Sequence, residues 1–217
     1  MGTRAALVLV AILAALVAVV VVQGADIRLP GNDIGYEPDQ PVRFSHQLHA
    51  GELAIQCLYC HVGADRGRHA GLPSEQICMN CHKFVAAPLA DVRAEEAAAT
   101  KEGRPAKPVL SAEIAKLYRA QGLDDAGKPV PGAKPHAIEW VRVHNLPDFA
   151  FFDHRSHVTQ GLACATCHGP VDAMARVRQF SDLSMGWCVN CHRTANATGL
   201  PDGRPAAAST DCSTCHH

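Results

Sequence analysis

Hydrophobic positions are spread unevenly along the chain. Eighteen uncharged apolar residues run from Ala5 to Val22, enough for roughly 27 Å of helix at 1.5 Å per residue. Arg4 precedes the run, while Asp26 and Asp33 follow it, so the positive-inside rule leaves the rest of the chain outside the cytoplasm. A cleaved signal peptide is the competing reading, with Val22-Gln23-Gly24 ahead of Ala25 as its cleavage site. The run is longer than a usual signal-peptide core, which favours a retained transmembrane anchor over residues 1–25. Further on, "DVRAEEAAAT" and "SAEIAKLYRAQG" pattern as helices, the second with Ser111 as N-cap and Glu113 close behind. "KEGRPAKPVL" and "GKPVPGAKPH" are Gly/Pro-rich loops. No stretch alternates as a strand does, so the expected fold is mainly α with extensive irregular loops.

The ten cysteines change this picture. They fall in five C-x-x-C pairs: Cys57/Cys60, Cys78/Cys81, Cys164/Cys167, Cys188/Cys191 and Cys212/Cys215. Each pair is followed at once by histidine, namely His61, His82, His168, His192 and His216. With 13 histidines in 217 residues, five such neighbours by chance is on the order of one in a million, so the histidine belongs to the motif. Structural zinc does not need histidine at that position. A redox dithiol normally occurs once, beside a βαβ unit. Covalent haem does need this order: two thiols bond the porphyrin vinyl groups, and the adjacent histidine becomes the proximal iron ligand. The motifs predict five covalently bound c-type haems.

Each iron then needs a second axial ligand. Eight histidines remain outside the motifs, with Met79, Met174 and Met185 beyond the apolar run. "FSHQLHAG" and "FDHRSHVTQG" each hold an H-x-x-H pair ahead of a haem motif. His46, His49, His154 and His157 are therefore the leading distal ligands, each pair able to send one ring to the nearby haem and one to a neighbour. His144 in "WVRVHNLPD", His69 in "RGRHAGLP" and Met185 in "SMGWC" are further candidates; a Met ligand would raise its haem's potential relative to bis-His. Surface or core packing is the competing role for each of these residues. His136 and His217 are not expected to ligate, and Met79 is expected to pack on its own haem. Trp140 and Trp187 flank candidate ligands and are placed to pack on porphyrin or in the core.

These segments recur. "CMNCHK" and "CVNCHR" follow the two H-x-x-H segments in parallel, which reads as an internal duplication. Residues 26–83 form a first haem module with two motifs, 84–143 a cysteine-free helical and loop linker, and 144–217 a second module with three. Composition fits folding around cofactors: 47% of residues are hydrophobic but only 5% aromatic, so porphyrins must supply much of the apolar interior. The formal net charge of −1 points to neither nucleic acid nor an anionic lipid surface. Because ligands outnumber irons, all five can be six-coordinate, which suits an electron carrier and not an enzyme.

"FSHQLHAG", "CMNCHK", "WVRVHNLPD", "CHGPV" and "MGWCVNCHR", after one apolar helix, resemble the pentahaem cytochrome c subunit of alternative complex III. The recurring F-x-H-x-x-H pattern also resembles class III cytochromes c. The resemblance implies an electron-transfer subunit on the extracytoplasmic face of the inner membrane, passing electrons from quinol oxidation toward a periplasmic cytochrome, a high-potential iron–sulfur protein or an oxidase. Implied partners are an iron–sulfur, molybdopterin-type subunit, polytopic quinol-binding subunits and a monohaem cytochrome. It carries distal ligation onto His46, His49, His154, His157 and His144, and extends to His69 and Met185. A free-standing membrane-anchored quinol dehydrogenase cytochrome and a multihaem reductase are the alternatives.

Overall fold

A computed structural model describes residues 2–24 and 33–217. The described residues are helices and loops without a strand; the one isolated bridge pairs Leu123 with Pro129. The apolar run forms α1 (Thr3–Gly24), and its described large side chains, such as Leu7, Ile12 and Leu16, are exposed. Among the described residues no helix is long and apolar enough to cross a membrane. Val20, Val21 and Val22, which complete the expected run, have side chains outside those described. The expected end of the anchor and the flanking Asp26 fall in 25–32, also outside them.

Each haem motif is helical: α2 (Cys57–Cys60), α3 (Glu75–His82), α7 (Ala165–His168), α8 (Met185–Thr198) and α9 (Cys212–Cys215) carry one apiece. Helical spacing brings residues i, i+3 and i+4 to one face, so both thiols and the following imidazole aim the same way. The H-x-x-H segments are a π-helical turn at Gln47–Glu52, whose N-cap is His46, and α6 (His154–Val158). Side-chain caps start several of these helices: Asp153, Ser184 and Asp211 accept from Arg155, Trp187 and Ser213 amides.

The linker contains α4 (Leu89–Glu102) and α5 (Ala112–Ala120). Ser111 Oγ accepts from the Ile114 amide at 3.2 Å, the cap expected from its sequence. Most of the buried apolar side chains lie here: Ala87, Ala99, Ala115, Leu117, Tyr118 and Ala120. Outside the linker, the only others among the described residues are Ala64 and Met174. Arg104 forms a forked pair with Glu95, at 3.2 Å for Nη2–Oε2, and its guanidinium holds the Glu95 carboxyl down at about 2. Tyr118 Oη donates to the His82 carbonyl at 2.8 Å, and the Ile138 amide donates to Glu75 at 2.8 Å, so the linker grips α3 at both ends.

Polar seams join other parts of the chain. Gln40 exchanges two hydrogen bonds with Val141, and Arg176 pairs with Glu37 and Asp39. At Gly51 an added Cβ would sit 2.3 Å from the Asp172 carbonyl. Only glycine permits the π-helical turn to lie this close to the short 3-10 turn Val171–Ala173. Leu117→Ala should cost about 2–5 kcal/mol; thermal unfolding followed by circular dichroism should show the lowered midpoint.

Candidate haem centres

Imidazole has two nitrogens, and whichever is hydrogen-bonded leaves the other for a metal. Nδ1 of His49, His61, His82, His154, His157 and His192 donates to the carbonyls of Ser45, Gly71, Val85, Arg68, Asp153 and Ser209, at 2.5–2.9 Å. Every one of these rings therefore presents Nε2. The ring pairs then face one another: His49 and His82 at 6.1 Å, His154 and His168 at 6.3 Å, His157 and His192 at 6.0 Å between centroids. Two imidazoles bound trans to one metal, each nitrogen at roughly 2 Å, would have centres about 6 Å apart. Their interplanar angles of 58°, 5° and 31° differ, as rotation about such an axis allows. These residues fit a six-coordinate haem iron between each pair.

His46 faces the first motif. His61 is among the charges that lower its pKa, after burial, to about 4, and its Nδ1 is buried without a hydrogen-bond partner. Both H-x-x-H segments are braced by the aromatic residue before them. Phe44 lies edge-on to His46 at 4.8 Å and stacked on His49 at 4.2 Å; Phe152 contacts His154 edge-on at 4.8 Å and His157 at 4.6 Å. The recurring Phe–His spacing was visible in the sequence, but the bracing role of these phenylalanines was not. The acceptor carbonyls carried no signal at all, because any residue supplies one.

The motifs adjoin in a definite order. Burial first, then neighbouring thiols, raises the Cys60, Cys78, Cys164, Cys167 and Cys188 thiols, and those neighbours show which motifs lie near one another. Cys60 lies by Cys81, Cys164 by Cys57, Cys167 by Cys188 and Cys191, and Cys188 by Cys215. Hydrogen bonds run along the same seams. Asn80 Nδ2 donates to Tyr59 Oη at 3.0 Å between the first two motifs, and the His154 amide donates to the Arg68 carbonyl at 3.2 Å. The row is second, first, third, fourth, fifth.

The remaining candidates are placed differently. His144 lies beside a motif histidine and not opposite one: its Nε2 is 3.2 Å from His168 Nδ1, with the rings edge-on at 4.5 Å. At the fifth motif, His216 has Phe149 near-parallel at 5.9 Å, and the Phe151 amide donates to the Cys215 carbonyl at 2.7 Å. His69 is exposed and follows Arg68, whose guanidinium sits 4.5 Å over Phe151. Met185 is 71% exposed and lies one turn before Cys188, the residue adjoining Cys215. His136 is exposed, and its amide is tied to the Ala120 carbonyl. Trp187 lines an open cleft with Thr166, Asp182, Asn190 and Cys191, beside the third and fourth motifs.

Residues 150–217 match the family described as cytochrome c7 and related cytochrome c. The C-terminal third of the chain is thus similar to multihaem cytochromes c. A relative from Nitratidesulfovibrio vulgaris, the multiheme cytochrome c subunit of a menaquinone reductase, is 26% identical over 200 residues, covering 83% of this chain and 78% of that protein. The match to the c7 family spans the third, fourth and fifth motifs, and the longer likeness extends beyond them.

Replacing a distal histidine should leave one iron open. His154→Ala and His157→Ala should each produce a high-spin electron paramagnetic resonance signal with the haem count unchanged. His136→Ala should produce none.

Proposed function

We propose that this cytochrome carries five covalent haems and serves as a membrane-anchored electron-transfer subunit of a quinone-linked complex. The observation that carries the reading is the three facing imidazole pairs, His49/His82, His154/His168 and His157/His192, whose 6.0–6.3 Å separations suit a metal held between them. Haem c supplies a one-electron ferric/ferrous couple. The chain's own residues would hold that group: Cys57/Cys60 through Cys212/Cys215 would bond each porphyrin, and the motif histidines would supply one ligand to each iron. His46, His49, His154 and His157 would supply the second ligand at the first, second, third and fourth motifs. The matching geometry of Phe44-His46-His49 and Phe152-His154-His157 supports two copies of one module. For the fifth motif, His69 and Met185 are the two candidates to supply the sixth ligand. Closed coordination at every iron favours transfer without substrate turnover.

The apolar run and its Arg4 flank support an anchor with the haem modules on the periplasmic side. The resemblance to alternative complex III supplies the partners: an iron–sulfur, molybdopterin-type subunit, polytopic quinol-binding subunits and a monohaem cytochrome. In that setting electrons leave quinol for a periplasmic cytochrome, a high-potential iron–sulfur protein or an oxidase. The relative's name, a menaquinone reductase subunit, favours the reverse direction as a second reading.

Gently solubilised complex should give five haems per chain by pyridine haemochrome, and a menaquinol analogue should reduce them. Oxidation of pre-reduced haems by the matching quinone, without reduction by quinol, would establish the second direction. Haems that respond to dithionite but to neither quinone form would overturn the quinone link.

A further inference from the structure

Among the motif histidines whose Nδ1 has a partner, His168 differs from the others. Nδ1 of His61, His82 and His192 donates to a backbone carbonyl, but Nδ1 of His168 meets the ring nitrogen of His144 at 3.2 Å. Building on the haem reading above, we infer that His144 is a positioning residue that accepts a hydrogen bond from the third haem's proximal ligand and lowers that haem's potential.

The chemistry fixes the direction of the bond. His168 faces His154 across the ligand axis, so its Nε2 serves the iron and its proton must reside on Nδ1. His144 Nε2 must then be the acceptor, with the His144 proton on its own Nδ1. An imidazole nitrogen is a more basic acceptor than an amide oxygen. Donation to it moves His168 toward imidazolate, strengthens its bond to iron and favours the ferric state.

The contact is held by a built frame. The amide of Asn145, next to His144, donates to Gln179 Oε1 at 2.9 Å. Gln179 is fully buried, and its Nε2 donates to the Ser181 carbonyl at 3.0 Å. Ser181 Oγ donates in turn to the carbonyl of Cys167, next to His168, at 2.7 Å. The two segments holding the paired rings are thus tied through two buried side chains. Arg142 stiffens the other side, donating to the His144 and Leu146 carbonyls at 2.9 and 2.6 Å. The third motif is the middle of the row, so the residue would tune the middle haem.

The test is spectroelectrochemical titration and electron paramagnetic resonance of the full haem-loaded chain. His144→Phe keeps a ring but no acceptor, and should raise one midpoint potential while every iron stays low-spin and the haemochrome count stays at five. His144→Gln restores an acceptor oxygen and should bring that potential back toward the wild-type value. A new high-spin iron in His144→Phe would make His144 an iron ligand and overturn the proposal, as would five unchanged potentials. If His144→Phe does not assemble, nitrogen-15 spectra of the fully reduced wild type decide. A coupling across the bond from His168 Nδ1 to His144 Nε2 is expected, and its absence overturns the assignment. A count below five in the wild type would instead fail the haem reading itself.

Discussion

The whole arrangement depends on committing one nitrogen of each imidazole. A free histidine side chain can offer either nitrogen to a metal and rotates about two bonds. Here a main-chain carbonyl takes Nδ1 of six rings; that bond orients Nε2 and leaves the ligand neutral. The carbonyls belong to three kinds of place: the residue four before, as Ser45 and Asp153; a short loop after the motif, as Val85 and Gly71; and distant chain, as Arg68 and Ser209. Ligand geometry is therefore inherited from the path of the main chain, which explains why long irregular loops can hold a rigid site.

That dependence explains the sparse interior. Large apolar side chains such as Leu53, Leu72, Phe149 and Met185 are exposed; in the haem reading proposed above, these are surfaces that porphyrins would cover. Polar seams do the joining instead. Gln179 is wholly buried with both ends of its amide satisfied, so its burial stabilises where an orphaned amide would cost.

The haem motifs were legible in the sequence because thioether chemistry demands fixed residues at fixed spacing. The H-x-x-H pairs were legible because they recur. Which ring serves which motif was not, since it follows from long-range contacts such as His154 on Arg68, 86 residues away. His144 shows the same limit: its apolar neighbours mark it as interior, but only the fold brings it to His168. The linker helices were readable from composition and from Ser111, with ends that shifted by a residue or two, as fraying termini allow. The second motif preceding the first in the row could not be read, because chain order says nothing about which loops fold back.

The linker's position against α3 bears on how the protein is made. Its buried cluster, Ala99, Ala115, Leu117, Tyr118 and Ala120, is built from linker residues alone and needs no contact with a motif to pack. Through Tyr118 and Glu75 it holds α3 while Cys81 stays exposed. If the haems are added after the linker folds, that end of the row would offer the first of them a ready surface.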